Sequence, residues 1–589
     1  MPVIMIVLHI LGILLTILVS VSIYYACNQG MARNARGQQT RRFIIASVLA
    51  WLPVMVSGTS LSFGIVTAWL TGVVWMLTYP LLYHLTNRKS SPDYENYGEI
   101  ACGIYFFGWL SAIWLLGGGV VAAVLEWLLL LVSLAQVVYY LLYGTCIDAN
   151  GMKIVQDSHP NEVIEFAKSY PWWKTMGTVL AVVLLLVGAV WANLSDSLGL
   201  GGHSAPLTIF LGAYVLGFGW YIFKTHRGMF VRSGIVTLWL VIKEYSANNK
   251  RYVSEMERRI ADLQVKQLGG TMEQPHTVML VIGESASRDY MSAFTEMEHD
   301  TTPWMRQMAE DKQHTVIYPN AYSCAMHTVQ VLEKALTEYN QYTGLQFYES
   351  CSIVDIAHKL GYRVHWYSNQ GHLGANDTPI TLVANTSEVA KWTKQDLGRV
   401  QYDQSLVDFL DELDPTQNNF LVLHLKGSHF NFLSRYPQEA TVWGEPSVQD
   451  NTLNYENSLH YTDTILEQFY QYGVSKLNLQ AMVYFSDHAT VPDRHRSPNF
   501  SGFGATRIPL MVWMSDTWQA LHSERWQALK QNTQKHWTND LAYELLCGVF
   551  DCQSNHFDAS ASLAYEEYGY KHDELLTYEG KARIVDDES

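Results

Sequence analysis

The chain has 589 residues, 49% apolar and 16% charged, and a formal net charge of −16. That length exceeds what one ordinary domain needs, and the acidic balance, with no Lys/Arg cluster interleaved with aromatics, excludes nucleic acid as a partner. The averages hide a split: nearly all acids and bases lie after about residue 225, and long apolar runs precede it.

The first run, residues 3–26, begins "VIMIVLHILGILLTILV". It has no basic leading segment and no small-residue cleavage site, so it reads as an anchor and not as a removable signal peptide. Residues 43–86 hold enough apolar sequence for two spans, as do 103–146, and further runs lie at 176–193 and 206–224. A span needs about 20 residues, which makes residues 1–226 a multi-pass α-helical membrane domain of five to seven helices. Trp and Tyr flank the runs where the interfaces would fall. Arg33, Arg36, Arg41 and Arg42 fill the expected first loop, and Lys153, Lys168 and Lys174 the loop near 147–174. With seven spans, this positive charge places the C-terminal half in the cytoplasm.

Residues 227–272 are transitional. "SGIVTLWLVIKEY" is amphipathic and too short to span, so it is expected along the interface. "NNKRYVSEMERRIADLQVKQ" reads as a charged helix, and "LGGTMEQP" breaks the pattern as a linker. From 273 to 560 strands and helices alternate. Strands are expected at 277–282, 315–319, 362–368, 419–425, 481–486 and 508–514, and helices at 327–340, 351–360, 402–413, 452–471 and 537–549. Several strands are apolar throughout, which suits a sheet covered on both faces. The alternation predicts an α/β sandwich with a mostly parallel central sheet, whose ligands bind outside the carboxyl ends of the strands. Residues 561–589 are polar and read as a tail lying loosely on the surface.

Of seven cysteines, Cys324, Cys351, Cys547 and Cys552 fall in this second half. Outside the cytoplasm they could form two disulfides, Cys547 with Cys552 and Cys324 with Cys351; free buried thiols are the alternative. No CxxC pair or Cys/His spacing marks a structural zinc site.

In "VMLVIGESASRDY" an apolar strand delivers Glu284 at its tip, and in "MVYFSDHAT" another delivers Asp487 and His488. Alone, each is most simply a solvated loop residue. Together, two carboxylates and an imidazole offer the ligands of a Zn²⁺ or, less well, a Mn²⁺ site. "NAYSCAMHTVQVLEKAL" offers Ser323, Cys324 and Thr328 as nucleophiles. Thr328 opens a helical pattern, where backbone N–H groups stabilise an anion, although a plain helix cap is its simplest role.

Here the residues carry a resemblance. "VIGESASRDYMS" followed by "TTP", "YRVHWYSNQ", "FLVLHLKGSHFNFLSRYP", "YENSLHYTD" and "VYFSDH" occur in the order of the membrane-anchored phosphoethanolamine transferases. That family modifies lipid A and the lipopolysaccharide core, and belongs to the alkaline phosphatase/sulfatase superfamily. The resemblance implies an alkaline phosphatase-type sandwich behind a membrane domain in a bacterial inner membrane, with the catalytic domain facing the periplasm, against the charge pattern above. It implies zinc held by Glu284, Thr328, Asp487 and His488, with Thr328 also the nucleophile. His429, His424, Asn369, Gln370 and His495 become substrate-binding positions. The implied reaction moves phosphoethanolamine from phosphatidylethanolamine to a lipopolysaccharide sugar or sugar phosphate through a phospho-threonine.

Two stretches depart from the family pattern. Ser-Cys-Ala-Met-His-Thr stands where the lipid A enzymes have Ser-Cys-Gly-Thr-x-Thr, keeping the final Thr at its distance from the Cys. "SDHATVPDRHRSP" lacks the Gly-Glu that follows Asp-His in the family, and His495 comes early. A sulfatase would need a Cys-x-Pro-x-Arg context that Cys324 lacks. A phosphoglycerol transferase of the same fold is the alternative enzyme. A membrane sensor with a degenerate phosphatase-like domain is the alternative of another class, and would have lost a ligand or the nucleophile.

Overall fold

The computed structural model describes residues 3–27, 33–87, 97–143, 146–147, 152, 172–195, 203–223, 234–370, 378–393, 400–445, 448, 451–493 and 502–588. The chain divides into two compact units, and the division falls between Glu244 and Tyr245.

The first unit is a helical bundle: α1 (Val3–Cys27), α2 (Arg33–Ser57), α3 (Phe63–Asn87), α4 (Tyr97–Leu115), α5 (Gly119–Tyr143), α6 (Trp172–Ser195) and α7 (Ala205–Phe223). All seven are long and apolar enough to cross a membrane. Helix α4 is the central one, with 94% of its apolar window buried inside the bundle. Its Gly103 lies against α3 so closely that a Cβ there would sit 2.4 Å from the Gly72 carbonyl oxygen, the close backbone approach that small residues permit in membrane bundles. Some buried polar groups pair across the bundle: Thr16 Oγ1 accepts from the indoles of Trp51 (3.0 Å) and Trp69 (2.9 Å), and Glu126 accepts from Asn193 at 2.7 Å. The four arginines expected in a loop belong instead to the first turns of α2. Most of 147–174 lies outside the described residues.

The expected interfacial segment and the start of the charged helix form one continuous helix, α8 (Gly234–Ser254). In the second unit a seven-stranded sheet comprises β1 (Thr277–Gly283), β2 (Thr315–Ile317), β3 (Arg363–Ser368), β4 (Val389–Trp392), β5 (Asn419–His424), β6 (Leu479–Ser486) and β7 (Leu510–Met514). Their spatial order is β2-β7-β6-β1-β5-β3-β4. The five strands from β6 to β4 are parallel, and β7 runs antiparallel to both its neighbours. β1 is central, and its alternation explains the unbroken apolar run. Val278, Leu280 and Ile282 pack into the core on one face, Met279 and Val281 into the core on the other. The helices include α9 (Thr328–Ala335), α10 (Ile353–Lys359), α11 (Asn451–Lys476) and α12 (Ala542–Val549).

Three expectations are corrected. Helix α9 stops at Ala335, short of 340, because Thr337 leaves it to bridge Ser352. Residues 537–538 pair as a short strand with Ala321 and Tyr322 before α12 begins. Residues 561–588 are not a loose tail: Leu563, Ala564, Tyr565, Tyr568, Leu575 and Ile584 are buried, and 576–577 pairs with 582–583 as a hairpin. Asp587 accepts a two-pronged bond from Arg507, at 2.8 Å to Nε and 2.5 Å to Nη2.

The seven cysteines are buried free thiols. Cys351 turns its Sγ to the Arg259 carbonyl oxygen (3.8 Å), away from any bond to Cys324. Cys547 and Cys552 touch through a hydrogen bond between their thiols.

Candidate active site and metal centre

The site lies at the carboxyl ends of β1, β5 and β6. Register aligns them: Gly283 sits opposite Ser486, and Ile282 opposite His424. The chain leaves β1 through Ser285, which adopts a left-handed backbone (φ 61°). A non-glycine residue held there is strained and persists only where surrounding bonds fix it. Those bonds are present: Ser285 N–H donates to Asp487 Oδ1 (3.0 Å), and Tyr455 Oη donates to the Ser285 carbonyl (2.7 Å) while accepting from Ser287 N–H (2.9 Å).

The Glu284 carboxylate is buried and shared. Its Oε1 accepts from Ser285 Oγ at 2.5 Å, and its Oε2 accepts from Thr328 Oγ1 at 2.9 Å and Gln370 Nε2 at 3.2 Å. His488 Nε2 lies 3.5 Å from Glu284 Oε1 and 3.2 Å from Asp487 Oδ2. One ligand atom each from Glu284, Asp487 and His488 falls within 4.8 Å of the others. Asp487 Oδ2 is buried without a hydrogen-bond partner. Burial pushes the Asp487 carboxyl well above the usual carboxylate range, and the neighbouring Glu284 carboxylate pushes it further. Two buried carboxylates side by side, with lone pairs facing an imidazole nitrogen, are costly unless a cation joins them. The donor set therefore fits a divalent ion such as zinc.

Thr328 is the first residue of α9, and His327, not Thr328, occupies the cap position. Its hydroxyl points at Glu284. Ser323 is spent on its own turn, donating from Oγ to the Ala325 carbonyl. The loop before Thr328 is anchored by Asn539, which accepts from Cys324 N–H (2.9 Å) and donates to the Asp487 carbonyl (2.6 Å). The C-terminal hairpin anchors it again: Thr577 Oγ1 donates to the Ser323 carbonyl (2.6 Å), and Glu579 N–H to the Cys324 carbonyl (2.9 Å).

The other expected residues divide. Gln370 joins the site. Asn369 is fully buried and braces the loop: its Nδ2 donates to Asp403 (2.8 Å) and the Gln401 carbonyl (3.3 Å), and its Oδ1 accepts from Thr393 (2.6 Å). His424 ends β5 packed edge-on to Trp366. Burial, and secondarily the Lys426 ammonium, pull its pKa down to about 3, so it is neutral. His429 follows Ser428, whose N–H donates to the Glu284 carbonyl (2.9 Å), and its own Nδ1 lies 3.0 Å from the Phe430 carbonyl. His495 lies outside the described residues. Sequence reasoning missed Asp403. Its buried carboxylate accepts from the N–H groups of Lys426 and Gly427, both at 2.8 Å, and from Asn369, tying two loops together. Nothing in "QYDQSL" marks it.

Residues 276–547 match the sulfatase family. Over 445 residues the chain is 23% identical to phosphoethanolamine transferase EptC of Escherichia coli, covering 68% of this chain and 75% of that protein. It is 24% identical over 466 residues to phosphoethanolamine transferase CptA of Salmonella typhimurium, covering 71% and 78%. Its fold matches the integral membrane protein lipooligosaccharide phosphoethanolamine transferase A of Neisseria meningitidis, with a TM-score of 0.57 at 16% identity over 85% of this chain and 98% of that one. The chain thus combines a helical unit long and apolar enough to span a membrane with a sulfatase-type α/β unit. Over about two thirds of its length the chain is similar to the phosphoethanolamine transferases.

Proposed function

We propose that the protein transfers phosphoethanolamine from phosphatidylethanolamine to a sugar or sugar phosphate of lipopolysaccharide, in the core or lipid A, on the periplasmic face of the inner membrane. The observation that carries this reading is the 2.9 Å bond from Thr328 Oγ1 to Glu284, at the rim of a buried carboxylate–imidazole cluster. It supports a reading in which Thr328 is the nucleophile and the neighbouring carboxylates and imidazole hold a divalent ion. Glu284, Asp487, His488 and Thr328 would hold zinc, which when bound lowers the pKa of a nearby hydroxyl and polarises a phosphoryl oxygen. Thr328 Oγ attacks phosphorus; the new O–P bond forms as the bond to the diacylglycerol oxygen breaks, and the hydroxyl proton leaves with diacylglycerol. A phospho-threonine bearing ethanolamine remains. The acceptor oxygen then attacks the same phosphorus, Thr328 departs as its hydroxyl, and His429 assists the proton transfer. The membrane bundle suits this chemistry because donor and acceptor are both lipids.

Incubation with headgroup-labelled phosphatidylethanolamine, followed by mass analysis of the Thr328 peptide, tests the reading. A labelled Thr328 supports it. Labelling from phosphatidylglycerol alone would favour the phosphoglycerol alternative, and no label from any phospholipid would leave a non-catalytic membrane protein.

A further inference from the structure

The backbone N–H and carbonyl groups of Ser323 and Cys324 all bond to other parts of the chain. Ser323 N–H donates to the Thr506 carbonyl (2.7 Å), and Cys324 N–H to Asn539 Oδ1 (2.9 Å). The two carbonyls face the C-terminal hairpin, where Thr577 Oγ1 donates to the first (2.6 Å) and Glu579 N–H to the second (2.9 Å). Tyr578, between them in sequence, shares a small apolar cluster with Met326 and Ala505, and its Oη donates to the Gly502 carbonyl (2.6 Å). Beyond Thr328, on α9, the buried ammonium of Lys334 lies 4.0 Å from Glu579 Oε1. It is also 3.1 Å from Glu333 Oε1 and 2.9 Å from the Gln330 carbonyl. Three consecutive hairpin residues thus hold the segment 323–334 on both sides of Thr328.

The turn that does this is strained. Tyr578 (φ 52°) and Glu579 (φ 56°) are consecutive non-glycine residues in the left-handed region, followed by Gly580 (φ 80°). A turn with no other duty would take Asn or Gly at such places at lower cost. A strained residue persists only where its surroundings over-determine it, and such residues gather where a site is pre-organised. Here the surroundings are the Ser323 and Cys324 carbonyls, the Met326 cluster and Lys334, all on the segment that carries Thr328.

We infer that Thr577, Tyr578 and Glu579 are positioning residues for Thr328. The strained turn fixes the Thr328 hydroxyl at its 2.9 Å bond to Glu284 before substrate arrives, and so governs the rate of attack and not the affinity for donor lipid. The inference rests on the proposed attack by Thr328 and adds the part of the chain that aims it.

The test uses full-length protein in detergent with zinc, and phosphatidylethanolamine in mixed micelles as donor. The first-order rate of adduct formation at Thr328, the half-saturating donor concentration, the zinc content and the thermal midpoint are measured together. Thr577→Val keeps the side-chain shape and removes the hydroxyl. It should slow adduct formation by about 10–100-fold, the loss expected for a misplaced attacking group. Half-saturating donor and zinc content should stay at wild-type values. Thr577→Ser, which restores the hydroxyl, should recover most of the rate. Glu579→Gln keeps the backbone bond and removes the charge facing Lys334, and should slow the same step by a smaller factor. A wild-type rate in Thr577→Val overturns the inference, as does a slowed rate that Thr577→Ser leaves unrecovered or that follows loss of zinc. Should Thr577→Val not fold, Glu579→Gln decides: a slowed step at wild-type zinc content and half-saturating donor supports the inference, and an unchanged step overturns it. A wild-type protein that forms no adduct at Thr328 defeats the transfer reading instead, so the two failures are distinct.

Discussion

Thr328 donates its hydroxyl hydrogen to the carboxylate of Glu284, across 44 residues of sequence, at 2.9 Å. The pair joins the first turn of α9 to the tip of β1, and so joins the proposed nucleophile to the proposed metal-binding end of the sheet. Thr328→Ala removes one hydrogen bond and no cap, costing about 1 kcal/mol. The variant is expected to fold, to retain part of its zinc and to form no covalent adduct. Ser323→Ala is expected to keep measurable transfer. Intact-mass measurement of both after exposure to donor lipid checks the assignment, and an adduct surviving in Thr328→Ala would exclude it.

Gly427→Ala should disable the site without touching a ligand. The left-handed backbone strains any side chain there, and the added Cβ would collide with the Glu284 carbonyl oxygen at 2.7 Å. A cost of about 1–3 kcal/mol follows, with loss of bound zinc as Glu284 is displaced. Thermal unfolding and metal content measured on one sample test this; unchanged values in both would show that the loop adjusts freely.

His424 predicts a pH dependence of stability. Its folded pKa, about 3, lies below the ordinary value of 6.5, chiefly through burial. Below pH 6.5 the unfolded chain therefore binds a proton that the folded chain does not. The contribution is fully present above pH 6.5 and is lost as pH falls toward 3. His424→Asn should flatten the decline in unfolding free energy over that window relative to the wild type. Identical slopes would mean His424 protonates normally in the fold.

Asp587→Ala should loosen the second unit from its C-terminal side. Asp587 is 9% exposed and answers Arg507 twice, and Tyr322 Oη also donates to it at 3.1 Å. Loss of these charged bonds is worth about 1–3 kcal/mol. Denaturant unfolding measures it, and a change below about 0.5 kcal/mol would mark the contact as a surface pair.

The thiols of Cys324, Cys351, Cys547 and Cys552 should react with an alkylating probe only after unfolding, since all four are buried. Mass-shifted peptides from unfolded, unreduced protein check this; unmodified Cys547 and Cys552 would mean a disulfide closes between the touching thiols.

The strands were legible because burial on both faces demands continuous apolar runs, and Glu284 and Asp487–His488 were legible because each interrupts such a run at its carboxyl end. β4 was not: as an edge strand it is only partly buried, and "VAKW" carries no run. Asp403 and Asn539 were not legible either, because their work is hydrogen bonding to backbone groups brought near only by the fold. Composition misrepresented residues 561–588, whose buried Leu and Tyr side chains are interspersed with acids. The bracing bonds of Asn369 were not legible for a related reason: a motif gives position but not which groups an amide's donors and acceptors meet.

The bonds from Thr577 and Glu579 to the Ser323 and Cys324 carbonyls also order events in time. The ribosome adds those two residues roughly 250 positions after Thr328, a delay of about 10–50 s at ordinary elongation rates. Throughout that interval the loop that leads to Thr328 lacks two of its restraints, while the apolar helices before it are already available to the membrane. A nascent chain thus meets the membrane before the loop that carries the Thr328 hydroxyl has all of its restraints, and only the finished chain supplies the last two.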